Sequence, residues 1–389
     1  MTVYPLTGVI RDYAWGSRTA IAELQGRPTP TEGPEAELWL GAHPADPSTV
    51  PVGDTPVELT KLIADDPHGQ LGADVEERFG PRLPYLMKVL AAGAPLSLQA
   101  HPALDYAREA YARQEADPAL PRNYTDANHK PEMLVALTPF EALCGFRPPS
   151  ASAAVIGGLG LPRLAPVVSA LETGDLAGAV RLLLSWPAGD RDALIEDVVA
   201  AARRQSGDSY RLAIDLAAHY PGDPGVLVAL LLNLVRLAPG EAIWMPAGNL
   251  HAYLNGLGVE LMAASDNVLR GGLTPKRVDV DELLKVLRFE VLDDPLLHGV
   301  TEAPGVTAWQ VPVPDFAMRR VELTGDRPPV RLTGAGPRIV LGAAGEIQVG
   351  EDHGVPVTVG AGDAAYAPAN AGPITVAGVG VVFVASVPA

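Results

Sequence analysis

Cysteine is nearly absent from this chain of 389 residues: Cys144 stands alone. No disulfide can form within the chain, and any metal site must draw on nitrogen and oxygen donors. Long hydrophobic runs are missing too. The most apolar one, Val226 to Val235, falls well short of the roughly 18 residues of a membrane span, and the N-terminus shows no basic segment followed by an apolar one. Positive charge is scarce, since 29 Lys and Arg against 46 Asp and Glu leave a net charge of −17. That balance disfavours nucleic acid or an anionic membrane as a partner unless the few bases are gathered in one place. The expectation is a soluble cytoplasmic protein, acting as a monomer, with neither nucleic acid nor membrane as partner.

What is abundant is Gly (40) and Pro (38), a density that interrupts long helices and favours short elements joined by tight turns. Disorder is excluded by 48% apolar residues and a mean hydropathy of +0.14. Up to residue 149 the chain reads as short strands, with one helix over Leu104–Glu115. From 150 to 237, apolar residues at three- and four-residue spacing between Pro, Gly and Asp breaks predict a helical insert. Strands resume at Pro239, a helix is expected over Asp279–Arg288, and residues 301–389 carry Val-rich strands and Gly/Asp turns. Gly240-Glu241 precedes Pro246-Ala247 by the same six residues that separate Gly362-Asp363 from Pro368-Ala369. Both read as turn, strand, turn, which suggests a duplicated β-sandwich. His251, eleven residues after the first Gly, has Pro373 as its counterpart, so no metal is expected in the last domain.

The segment Leu96-Ser97-Leu98-Gln99-Ala100-His101, read as a strand, puts Leu96, Leu98 and Ala100 on one face and Ser97, Gln99 and His101 on the other. Burying such a polar face costs free energy unless each group finds a partner, and a metal is one such partner. His129 to Val135 alternates similarly, with Lys130 and Glu132 on one face. Asn249 to Tyr253 adds His251. Gln99, His101, Glu132 and His251 then offer two imidazoles, a carboxylate and an amide, a set that Zn²⁺ can accept with a position left for water or substrate. Their spacing is not a local metal motif.

Several strings resemble the type I mannose-6-phosphate isomerases, zinc enzymes of the cupin superfamily: Tyr13-Ala14-Trp15-Gly16, Glu37-Leu38-Trp39-Leu40-Gly41-Ala42-His43-Pro44, Pro95-Leu96-Ser97-Leu98-Gln99-Ala100-His101-Pro102, Asn128-His129-Lys130-Pro131-Glu132, and Leu269-Arg270-Gly271-Gly272-Leu273-Thr274-Pro275-Lys276. They run in the family's order across about residues 4 to 290. The resemblance implies a mainly β fold with a helical insert: a duplicated cupin-type double-stranded β-helix, or jelly-roll, plus an α-helical domain. Its divisions are 1–149 with 238–300 as the catalytic zinc domain, 150–237 as the insert, and 301–389 as a C-terminal β-sandwich without metal. It places one Zn²⁺ on Gln99, His101, Glu132 and His251, and the catalytic arginine on Arg270. Trp15, Ser97, Lys130, Glu260 and Lys276 fall on substrate-binding positions.

The implied reaction interconverts mannose 6-phosphate and fructose 6-phosphate through a cis-enediol, with Arg270, Lys130 and Lys276 meeting the phosphate of this small sugar-phosphate substrate. Glu260, Lys130 and a zinc-bound water stay open as proton carriers. Asp266 and Asn267 lie near enough in sequence to orient Arg270. The rival readings are a cupin oxygenase holding a redox-active metal and a sugar-phosphate-binding protein that does not turn over.

Overall fold

The computed structural model, which describes residues 3–351 and 353–388, contains two large antiparallel sheet systems and a group of helices packed against the first of them. The first system has eleven strands, from Val9–Arg11 to Leu296–Leu297, and carries the segments singled out above. The second has nine strands, built mainly from residues beyond Val300. A mainly β fold with a helical insert is what the chain adopts.

The strand His251–Ala263 organises the first system, because it belongs to both of its halves. Its start pairs with Phe140–Phe146 and with Gln99, and its remainder pairs with Tyr85–Ala92 and Glu132–Ala136. A register shift between Tyr253 and Asn255 changes which parity of residue points inward. Before it, Leu250, Ala252 and Leu254 join the core of the helical insert; after it, Leu257, Val259, Leu261 and Ala263 pack with residues of the C-terminal sheet. One bulge lets a single strand offer its outer side to two different neighbours while His251, Tyr253 and Glu260 turn toward the interior.

Each outer side is closed by its own apolar layer. Helices of the insert, from Pro149–Gly158 to Gly225–Ala229, bury Leu183, Leu194 and Leu227 in one cluster with Leu98 and Ala100. On the other side, Phe316, Met318, Ile339 and Phe383 share a cluster with Met87, Val89, Met133 and Val135. The alternation read from sequence, which sets Met133 and Val135 opposite Glu132, is the one that builds this layer.

Three sequence expectations need correction. The insert's helices end at Ala229, and Leu232–Leu237 is a strand paired with Phe140–Phe146 in the first sheet system. A short apolar run has no periodicity to separate helix from strand, and partner strands decide it. The first 149 residues hold not one helix but several, including Leu59–Asp65, Pro67–Leu71 and Ala73–Phe79, each too short to show a helical repeat and broken at Pro67 and Gly72. Finally, Tyr4–Leu6 falls within the range 1–149 yet pairs with Ala364–Ala367, so the start of the chain completes the terminal sheet. The helices expected near 104 and 279 are found at Leu104–Ala116 and Val280–Val286. The two echoed segments are indeed strands, Ala242–Met245 and Ala364–Ala367.

Candidate metal centre

His101, Glu132 and His251 come from three separate segments and meet inside the first sheet system, each 1% exposed. Glu132 Oε2 lies 3.4 Å from His101 Nε2 and 3.1 Å from His251 Nε2. These three atoms are buried, and none has a hydrogen-bond partner among the described residues. Leaving one such atom unpartnered costs about 1–3 kcal/mol, so three converging ones need a shared partner. Donors about 2.0–2.2 Å from a tetrahedral ion stand roughly 3.3 Å apart, which matches the separations found. The fit to a divalent ion thus rests on orphaned atoms and on their spacing.

The other ring nitrogens fix the imidazoles. His101 Nδ1 donates to the carbonyl of Asn267 at 2.6 Å and His251 Nδ1 to that of Asn249 at 3.1 Å. Holding the proton on Nδ1 leaves the Nε2 lone pair free to ligate. Burial pushes His101 down to about 4, so the neutral form needed by a ligand prevails near neutrality. Burial by itself raises Glu132, but the Lys130 ammonium outweighs it and holds the carboxyl well below the usual carboxylate range. Lys130 Nζ sits 2.6 Å from Glu132 Oε1.

Gln99 lies between His251 and Arg270 in the sheet register, opposite the first on one strand and the second on another. Directly opposed residues share a face, so Gln99 and Arg270 extend the row that begins at His251. Arg270 is half-buried, which lowers its pKa, and among the described residues its guanidinium meets no hydrogen-bond acceptor or carboxylate. Asp266 and Asn267, expected near it, are engaged elsewhere: Asp266 with His43 at 3.2 Å, and Asn267 with the 125–128 loop as well as His101.

Glu260 is 2% exposed, accepts from the Tyr253 hydroxyl at 2.7 Å, and lies 3.1 Å from Lys88 Nζ. Lys88 also bridges to Glu37, at 3.3 Å, whose other oxygen accepts from Trp39 Nε1. Sequence reading missed Lys88. It belongs to Tyr85–Ala92, where all eight residues are buried and no polar alternation marks an inward face; the only signal was a lysine inside an otherwise apolar run. Asn267, fully buried, is the hub of the loop and supplies the acceptor for His101, a different role from the orientation of Arg270 that its place in the sequence suggests.

The remaining positions lie farther out. Ser97 is half-buried two residues before Gln99. Trp15 stacks on Tyr13, packs against the cluster that holds Ala92 and Leu96, and accepts from Gly93 and Ala94 through its carbonyl. Lys276 is exposed and lines a cavity of about 410 Å³ with Arg191, Asp223 and Thr274. None of these three bonds to the buried trio among the described residues. His129 pairs with Asp315 at 2.9 Å and so ties the two sheet systems together.

A family model described as phosphomannose isomerase type I, catalytic domain, matches residues 3–149. The chain is 35% identical to mannose-6-phosphate isomerase of Escherichia coli over 384 residues, covering 96% of this chain and 97% of the relative. It is 35% identical to the Bos taurus enzyme of the same name, covering 83% and 82%. Among solved structures, a zinc-bound mannose 6-phosphate isomerase superposes with a TM-score of 0.90 at 33% identity, and a mutant of phosphomannose isomerase from Salmonella typhimurium with 0.91 at 33%, each covering 100% of both chains. With an orphaned His–Glu–His centre and likeness along nearly its whole length, the chain belongs to the type I phosphomannose isomerase family.

Proposed function

We propose that this chain is a zinc-dependent isomerase that interconverts mannose 6-phosphate and fructose 6-phosphate through a cis-enediol. The observation that carries the reading is the convergence of three orphaned donor atoms, on His101, Glu132 and His251, in a pocket whose wall continues through Gln99 to Arg270. Gln99 completes the proposed ligand set. When bound, the zinc supplies Lewis-acid polarisation of the sugar's carbonyl end.

The rest falls to the chain's own residues. Going from aldose to ketose, a base removes the C2 proton, an acid delivers a proton to C1, and one proton passes from O2 to O1. Arg270, which meets no carboxylate among the described residues, has its charge available for the anionic substrate and for the negative charge that develops on the enediol oxygens. Lys130 adds a second cation at the centre and Lys276 a third at the rim, so a chain of net charge −17 still presents a locally cationic site to a small dianion. Trp15 and Ser97 are assigned to the sugar. Glu260 and Lys130 remain the side chains suited to carry the proton: burial raises the Glu260 carboxyl toward proton uptake, against the pull of Lys88.

The same reading takes the fold as a duplicated cupin-type jelly-roll, with a catalytic part, a helical insert whose helices end at Ala229 and a C-terminal β-sandwich that Tyr4–Leu6 completes, in support of which both echoed segments form strands. It takes the protein as a cytoplasmic monomer; no helix among the described residues is long and apolar enough to cross a membrane. A coupled assay of mannose 6-phosphate conversion, run with and without a chelator, tests the function. Loss of turnover on chelation and recovery with zinc is the expected result, and full activity in metal-free protein would sink it.

A further inference from the structure

The segment after Arg270 has an unusual backbone. Leu273 has φ of 54°, the only non-glycine residue at positive φ among those described, and it is fully buried. A non-glycine residue in that region persists where its surroundings over-determine it. On one side the surroundings are the sheet: Gly271 N–H donates to the Leu98 carbonyl at 2.7 Å, and Leu98 N–H to that of Gly272 at 3.0 Å. On the other side is the helical insert, and it meets the turn backbone to backbone. A Cβ on Gly272 would stand 2.6 Å from Gly225 Cα, and one on Gly225 would stand 2.5 Å from Leu273 N, so only glycine fits at this seam.

One carboxylate spans the seam. Asp223 Oδ1 accepts from Gly225 N–H at 2.7 Å, and Oδ2 accepts from Thr274 N–H at 2.9 Å. Just before it in the insert, the Tyr220 hydroxyl donates to the Pro95 carbonyl at 2.5 Å, two residues ahead of Ser97. The insert thus holds both segments that form the wall around Gln99 and Arg270. Arg270 has no side-chain partner among the described residues, so the placement of its backbone sets where its guanidinium can go.

We infer that Asp223, in the helical insert, is a positioning residue for Arg270: by accepting from Gly225 and Thr274 at once, it fixes the Gly271–Thr274 turn and with it the arginine. The inference rests on the role proposed for Arg270. It also gives the insert a task in turnover, since the part of the chain that supplies Asp223 contributes none of the proposed metal donors. Asparagine at 223 offers one oxygen acceptor and turns an NH₂ toward the second N–H, so one of the two bonds is lost without a change of volume.

The test uses the zinc-loaded full-length protein. D223N is expected to lower kcat for mannose 6-phosphate about tenfold or more, with zinc content kept, a cooperative melting transition only slightly lowered, and faster hydrogen exchange at the 271–274 amides. In a double-mutant cycle, D223N should cost much less in an R270K background than in the parent, because the arginine it positions is gone. A purely structural Asp223 would cost the same factor in both backgrounds, and that outcome overturns the inference. A fully active D223N beside an inactive R270A also overturns it while leaving the role of Arg270 intact. Full activity of R270A would instead remove the role of Arg270 and the inference with it.

Discussion

Lys130 claims one oxygen of the Glu132 carboxylate and leaves the other: the ammonium lies 2.6 Å from Oε1, while Oε2 faces the two imidazoles with no hydrogen bond of its own among the described residues. The pair has the lysine hold the carboxyl ionised so that its second oxygen can ligate. K130M removes that support. Glu132 then loses the partner that orients its carboxylate, and affinity falls about ten- to a hundredfold, in the range seen when a group supporting a metal ligand is removed. Competition with a fluorescent chelator measures it. Unchanged affinity with a raised KM would confine Lys130 to the substrate.

His101 and Arg270 separate the two halves of the site. H101A deletes one donor, and the expected outcome is loss of zinc together with turnover. R270A leaves every proposed ligand in place, so zinc content stays near one per chain while kcat falls by about 10²-fold or more, the scale for removing a donor that stabilises developing negative charge. Metal analysis on the same samples used for the assay separates the two. Normal isomerase activity in metal-depleted H101A would defeat the assignment.

His101 and Glu132 were legible because alternation of period two exposes a polar residue on a face that should be buried. Neither Lys88 nor the path of His251–Ala263 carried such a signal. In Tyr85–Ala92 both sides of the strand are covered, one by the C-terminal layer and one by the site, so an apolar run surrounds the lysine. His251 and Glu260 are an odd number of residues apart and would point oppositely on a regular strand; the shift after Tyr253 reverses this, and a bulge of that kind depends on the partner strand Phe140–Phe146. Leu232–Leu237 and Tyr4–Leu6 were misplaced for the same reason, since their partners lie far away in sequence.

Glu282 gives a pH dependence away from the metal. Burial alone raises its carboxyl, but Lys285 and the hydroxyls of Tyr124 and Tyr106 hold it below its ordinary value. A carboxyl depressed in the folded state stabilises above its unfolded pKa of about 4.3, and that contribution disappears as pH falls through the folded value. E282Q should therefore be less stable than the parent by roughly 1.5–3 kcal/mol at pH 7, the range for hydrogen bonds to a charged group. The gap should narrow as pH falls below the unfolded value and close once pH has passed the depressed folded value, where the parent's carboxylate also takes up a proton. Urea unfolding at the two pH values reads the difference, and a gap independent of pH would assign the effect to packing.

Lys88 is the sole cation bonded to both Glu37 and Glu260 among the described residues, and all three are buried. Burial alone would lower the lysine, yet the carboxylates outweigh it and keep it charged. K88M strands two carboxylates in a dry interior, and removing one partner from a buried ion pair typically costs about 3–5 kcal/mol. If uncompensated charge is the cause, neutralising Glu260 should return part of that loss, because Gln still accepts from the Tyr253 hydroxyl while shedding the charge. K88M/E260Q is therefore expected to unfold at higher urea than K88M, with an unchanged slope. A double variant no more stable than K88M would mean that the lysine's stem, packed beside Trp39 with its ammonium 5.3 Å from the ring centre, matters more than its charge.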